Sequence, residues 1–317
     1  MIALTLDDIS AATLAVSLLM YLLLDGTDLG VGMLLFFFRD AEARRKLSLS
    51  ILPIWDANET WLVLLAGGML ALFPLLYSTL FSAIYLPLFI MLLALVGRAV
   101  ALEYRGHVSR RWHRYLDLAH GLSSLIAAFT QGALVGLVIT GRTQQGPFSW
   151  LTLYPTLCGF GLMAAYLLCG CCWIMWRISG PEPAFAHQLA WLFLVLSLTL
   201  MVAINLLENG ALLQAWQRVP GKVLMLMMAL TLIALLRALY RERPILSLAL
   251  VLTLITLCWA LLIVGLYPWL LPGQLTISQA AATPATQRFL LGGYALILPL
   301  TLAYNSWAFW VFRAKVR

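Results

Sequence analysis

The feature that most limits how this chain can fold is a succession of apolar runs, each about as long as a bilayer core is thick. A spanning helix needs about 20 mostly apolar residues. The sequence offers nine such runs, at approximately 9–37, 56–76, 79–103, 117–140, 152–177, 187–208, 222–239, 246–267 and 290–312. Inside lipid every backbone polar group must find its partner within the protein, which leaves only helices or closed barrels as spanning structures. The runs are continuous rather than alternating, so they exclude the barrel pattern. The expected fold is an all-α polytopic membrane protein with nine transmembrane helices. Composition agrees: 63% of the 317 residues are hydrophobic and 10% charged, against roughly 25% charged in a soluble domain. The whole chain, 1–317, reads as a single integral-membrane domain. Its connections are short, leave no room for a soluble catalytic domain, and show no internal repeat or low-complexity tract.

The net charge of +7 does not point to nucleic acid, because the basic residues sit in short clusters between the apolar runs. One set of connections carries Arg39, Arg44, Arg45, Lys46, Arg105, Arg110, Arg111, Arg114, Arg177, Arg237, Arg241, Arg243, Arg313, Lys315 and Arg317. The other set has only Arg142, Arg218, Lys222 and Arg288. The positive-inside bias therefore predicts an external N-terminus and a cytoplasmic C-terminus, which an odd number of spans requires. The N-terminus is acidic (Asp7, Asp8) and lacks a cleavage site after a short apolar core, so the first run is expected to stay as a span. All five cysteines (Cys158, Cys169, Cys171, Cys172, Cys258) lie in apolar stretches and read as small hydrophobes rather than metal ligands.

Ionisable residues inside a membrane are costly, and each is a functional hypothesis by default. Asp25 and Asp28 lie in the first run, three apart and so on one helix face. The second run opens with Trp55, Asp56, Asn58, Glu59 and Trp61; the third ends with Arg98, Glu103 and Arg105, and Asp117 opens the fourth. Several helices thus bring ionisable groups to one depth, as a buried ion-pair network or a proton entry path would need. Plainer readings stand beside this. Asp56 with Glu59 three residues later has the spacing of a capping box, and Arg98 could neutralise Asp25 or Asp28 and do no more. Glu208 and Asn209 read as an interfacial helix end, Trp150, Tyr154, Trp216, Tyr267 and Trp269 as an aromatic belt, and Gly132 with Gly136 as a packing pair. The stretch 268–289 reads as an ordinary surface loop.

His107, His113, His120 and His187 all fall in or beside the basic connections, so no axial haem ligand is expected at mid-membrane depth. Asp117 and His120 share a face but read as an interfacial pair. No phosphate-binding loop, dinucleotide fingerprint or Ser-His-Asp pattern is present. The chain alone looks unequipped for redox catalysis.

Three stretches together resemble subunit II of the cytochrome bd-type quinol oxidases. They are LDGTDLGVG (24–32); IWDANETWLVLLAGGMLALFP (54–74), followed by LFSAIYLPL (80–88) and RAVALEYR (98–105); and LPLTLAYNSWAFWVFRAKV (298–316). The chain departs from the family at Ala57, commonly Gly, at Thr27, often aromatic, and at Leu52 before Pro53, where Gly or Ala is usual. These leave the ionisable positions intact and the subtype open. The resemblance implies two four-helix bundles plus one peripheral helix, in the bacterial inner membrane. It also implies a partner subunit I carrying haems b and d and the quinol site, with quinol and O2 as substrates of the complex. It leaves room for a small single-span accessory subunit and for a structural quinone or lipid. By the resemblance, Asp56 is the candidate for cytoplasmic proton entry, with Trp55 and Trp61 lining proton or oxygen routes. Asp25, Asp28, Glu59 and Glu103 become proton-pathway candidates, and Arg98 an ion-pairing residue. The competing class is an ion-coupled secondary transporter, in which Asp25 and Asp28 would hold the coupling ion.

Overall fold

The computed structural model describes residues 5–141, 146–207 and 216–316; Arg142, Glu208, Asn209 and Arg317 lie outside the described residues. The chain folds into α1 (Leu6–Leu34), α2 (Ala41–Ile51), α3 (Trp55–Leu72), α4 (Pro74–Tyr104), α5 (Arg110–Ile139), α6 (Leu153–Arg177), α7 (Glu182–Leu207), α8 (Val219–Tyr240) and α9 (Pro244–Leu266). A short hairpin of β1 (Trp269–Leu271) and β2 (Leu275–Thr276) follows, then α10 (Ile277–Ala280) and α11 (Pro284–Val311). Eight of these helices are long and apolar enough to cross a membrane. The run expected at 56–76 forms α3, whose 18 residues reach about 27 Å. It falls outside the eight because Asp56, Asn58 and Glu59 crowd its first turns.

Local chemistry sets the ends. Thr5 caps α1 in a capping box with Asp8, and Asp40 caps α2 by accepting from the Ala43 amide at 2.9 Å. Pro74 ends the preceding run and starts α4 at a position where its missing N–H costs nothing. Within α4, Pro87 removes a helical hydrogen bond, and the chain kinks at Ile84 (φ −109°, ψ 15°).

α1 packs against α3, α5 and α6; α4 lies on α5; α7 and α9 lie on α6; and α8 pairs with α9. At the α1–α6 crossing Gly30 faces the Tyr166 carbonyl and Gly170, so the two backbones touch where a Cβ would not fit. Gly132 and Gly136 let α5 approach α6 in the same way, as their spacing suggested. α11 is the least buried of the eight. It is pinned at its first turn, where buried Gln287 accepts from Ser10 Oγ (2.7 Å) and donates to Asp7 (2.7 Å).

Two segments that read as plain connections are ordered. α2 is an 11-residue helix whose Leu47 and Ile51 are buried in the main core. The stretch after α9 is no ordinary loop: Leu271 and Leu275 flank the Pro272-Gly273 turn and enter a second core with Leu14, Leu72 and Tyr294. Ala282 N–H then donates to the Leu72 carbonyl at 2.8 Å. Trp150 is also not a belt residue; it is buried against Phe129. At the opposite, basic end the C-terminal residues return to α6. There Arg177 donates to the Ala314 carbonyl at 2.7 Å and stacks on Trp173 and Trp176.

Candidate functional site

Of the ionisable residues in the first three runs, Asp25, Glu59 and Arg98 converge. Arg98 of α4 is fully buried and forms an ion pair with Asp25 of α1 (Nη1 to Oδ1, 2.6 Å) and another with Glu59 of α3. Glu59 is the least enclosed member, its side chain 26% exposed. Asp28, one turn beyond Asp25, does not reach the arginine; its Oδ2 accepts from Asn58 Nδ2 at 2.7 Å. Asp28 Oδ1, Asn58 Oδ1 and Arg98 Nε have no hydrogen-bond partner within the described residues although all are buried. Trp61 stands fully buried one turn along α3, its indole N–H equally unpartnered, and Trp55 is half-buried at the start of that helix.

The sequence allows this arrangement because Tyr21, Asp25, Asp28 and Gly32 share one face of α1, within a sector of about 60° at 100° per residue. Gly26 and Gly30 occupy the opposite face and take Tyr166 and Gly170 of α6. One face of α1 is polar and the other is smooth.

Two residues lie apart from the cluster. Asp56 is exposed, five residues before Trp61, with no ion pair among the described residues. The capping box expected from its spacing to Glu59 is not formed. α3 starts at Trp55, so its N-cap is Ile54, two residues before Asp56, with no side-chain cap, and Glu59 turns to Arg98 instead. As a first-turn acid Asp56 still complements the positive end of the helix dipole. Glu103 is also exposed, close to the end of α4.

A second ionic group was read too shallowly from sequence. α5 begins at Arg110, so Asp117 lies two turns inside the helix and is 4% exposed. Arg105 donates to its Oδ1 at 2.5 Å and Arg44 to its Oδ2 at 2.9 Å, tying α2, α4 and α5 together. His120, one turn further, is 1% exposed rather than interfacial, and neither ring nitrogen has a partner among the described residues. The other histidines use a ring nitrogen on a main-chain carbonyl: His107 on Glu103, His113 on Val108 and His187 on Leu239. Among the described residues no group of three or more His, Cys, Asp and Glu side chains is placed to hold a metal ion. Outside the membrane region, on α2, the Arg45 guanidinium hydrogen-bonds Glu42 and holds its carboxyl below the ordinary range.

Further into the bundle, Tyr166 O–H donates to Gln131 Oε1 (3.0 Å) and Gln131 Nε2 donates to the Tyr21 hydroxyl (2.7 Å), linking α6, α5 and α1. Beside Asp28 lies a cavity of about 200 Å³, walled by Leu23, Thr27, Trp173, Leu248 and Phe309.

Residues 6–312 match the family described as cytochrome bd terminal oxidase subunit II. The cytochrome bd ubiquinol oxidase subunit 2 of Bacillus subtilis (strain 168) is 33% identical over 198 residues, 59% of this chain and 58% of that protein. The cytochrome bd-I ubiquinol oxidase subunit 2 of Escherichia coli (strain K12) is 32% identical over 157 residues, 46% of this chain and 40% of that one. The chain thus spans about half the length of the curated relatives it matches. A chain of the bd oxidase from Geobacillus thermodenitrificans superposes with a TM-score of 0.79 at 17% identity, covering 97% of this chain and 98% of that one, so the two share a fold.

Proposed function

The chain belongs to the cytochrome bd terminal oxidase subunit II family, and we propose that it serves as the haem-free second subunit of a quinol:oxygen oxidoreductase in a bacterial inner membrane. The observation that carries this reading is the family match over residues 6–312. The ionic cluster of Asp25, Glu59 and Arg98 is built from the stretches that carry the family resemblance.

In this reading the whole chain is one membrane unit, α3 crosses beside the eight longer helices, and α11 is the peripheral helix outside two four-helix bundles. The basic end faces the cytoplasm and the N-terminus the outside. The partner subunit I holds haems b and d, which supply electron transfer and the reduction of O2 to water. This chain stabilises that subunit and delivers protons. Exposed Asp56 and Glu103 take protons from the cytoplasmic side, Asp56 passing them along α3, past Trp55 and Trp61, toward the partner. Glu59 sits between that surface and the buried pair, so it can exchange protons while Arg98 fixes Asp25. The same aromatic wall gives oxygen an apolar approach. A structural quinone or lipid would find apolar walls in the cavity beside Asp28. With protons drawn from one side and quinol oxidised on the other, charge is separated without a pump. The transporter reading is disfavoured by the family match, and Asp25 is already neutralised by Arg98.

The test is Asp56→Asn in the complex assembled with subunit I. Quinol-driven oxygen uptake should slow while haem content stays at the parent level. Uptake at the parent rate removes Asp56 from the proton route, and loss of the haems assigns it to assembly.

A further inference from the structure

The Asp56 route leaves a second set of buried polar groups unexplained. On α5, Asp117, His120, Ser124 and Gln131 fall within a sector of about 60°, and from first to last they climb about 21 Å, two-thirds of a hydrocarbon core. This stripe faces the polar face of α1. A side chain placed on Gly32 would meet both His120 Nε2 and Ser124 Oγ, so the glycine leaves the imidazole and the hydroxyl side by side. Gln131 bonds Tyr21 at the far end. At the near end Asp117 is clamped by Arg44 and Arg105 at the basic surface.

Buried polar atoms nearly always have a partner. Here His120 Nδ1, His120 Nε2 and Ser124 Oγ are all enclosed and all lack one among the described residues. A histidine with both nitrogens unengaged, inside a membrane helix, is costly unless it does something. The charged groups around it are Arg98 of α4, Asp117 on its own helix, and Arg105 beyond the end of α4. His120 therefore stands between the basic surface and the Arg98–Asp25 pair. A leucine or isoleucine would fill this position at lower cost.

We propose that α1 and α5 enclose a second proton-transfer path within this chain, in which His120 carries the proton between the surface beside Asp117 and the Arg98–Asp25 pair. One imidazole nitrogen accepts a proton from water entering beside Asp117. The other releases its proton to water held by Ser124, and ring rotation or tautomer exchange restores the starting form. One proton moves and no bond other than N–H and O–H changes. The inference rests on the proposed role as an oxidase subunit that draws protons from the basic end.

The experiment uses the complex with subunit I, fully reduced by quinol and mixed with oxygen, following proton uptake with a pH dye beside haem oxidation. His120→Gln keeps a polar side chain of similar reach but cannot relay protons. Positioned acid–base groups contribute 10²–10⁴-fold, and with the Asp56 route intact uptake should slow by about tenfold. The solvent deuterium isotope effect should rise, while the electron steps that precede protonation keep their rates. Uptake within about twofold of the parent, with an unchanged isotope effect, overturns the proposal. If His120→Gln loses haem, Ser124→Val decides by the same readings, and loss of haem in both variants gives the seam a packing role and overturns the path. Asp56→Asn run in parallel separates the two ideas. An effect at Asp56 alone leaves the oxidase reading standing without this path. Failure of the chain to associate with a haem-bearing partner removes the parent reading itself.

Discussion

Replacing Arg98 with methionine tests whether the ionic cluster holds α1, α3 and α4 together. The guanidinium is fully buried against Asp25, which is also fully buried, and Glu59, which is about a quarter exposed. With charges ~4 Å apart and an effective dielectric near 20, each pair attracts by about 4 kcal/mol. Solvent reaches Glu59 and reduces its share, and desolvation of the arginine offsets much of the rest. What remains for removal of one partner of a buried pair is about 3–5 kcal/mol. Asp25→Asn leaves the Glu59 pair in place and should cost less, about 1.5–3 kcal/mol. In the Arg98→Met background the same Asp25→Asn change should cost nothing or restore stability, because it removes a stranded carboxylate. The assay is a double-mutant cycle on detergent-solubilised protein, unfolded with increasing sodium dodecyl sulphate and followed by tryptophan fluorescence. Single-variant costs that add to within about 0.5 kcal/mol would show that Arg98 and Asp25 are not coupled and would refute the reasoning.

Two further outcomes follow from the packing. Asp117→Asn leaves buried Arg105 without its countercharge and should destabilise by about 3–5 kcal/mol, read as a lower melting temperature and faster proteolysis between α4 and α5; a variant as stable as the parent would mean that solvent already screens the clamp. Gly30→Ala drives a methyl group into the Tyr166 carbonyl and should cost about 1–3 kcal/mol, whereas Gly67→Ala, which meets no neighbouring atom, should leave the melting temperature unchanged or raise it slightly.

The long helices were legible because lipid enforces them: an apolar run of sufficient length has no other stable backbone arrangement, and the expected boundaries fall within a few residues of the observed ones except at the starts of α4, α5, α7 and α11. α5 starts seven residues earlier than the apolar run suggests, because Arg110, Trp112 and Tyr115 continue the helix past the apolar stretch. That shift moved Asp117 and His120 from an assumed interface into the interior. α2 and the hairpin before α10 were missed because α2 is short and charged and the hairpin strands are too short to show a period, and their order comes from Leu47, Ile51, Leu271 and Leu275 entering cores that the linear pattern does not display. At the site, the convergence of Asp25, Glu59 and Arg98 was anticipated from depth alone, but the choice of partners was not. Sequence spacing gave Asp56 and Glu59 to a shared cap and left Asp25 and Asp28 equal before Arg98. Side-chain reach across three helices decided otherwise, sending Glu59 to the arginine and Asp28 to Asn58. His120 could have been flagged from its spacing to Asp117, Ser124 and Gln131, one helix face at intervals of three, four and seven.

The most direct measurement of the central claim is to tag this chain, purify it with and without a co-expressed haem-bearing subunit I, and record reduced-minus-oxidised spectra with quinol-driven oxygen uptake. If that claim holds, haem bands and oxygen uptake appear only in the co-purified complex, and neither from this chain alone. A stable chain that binds no haem-bearing partner even when the two are expressed together would contradict it.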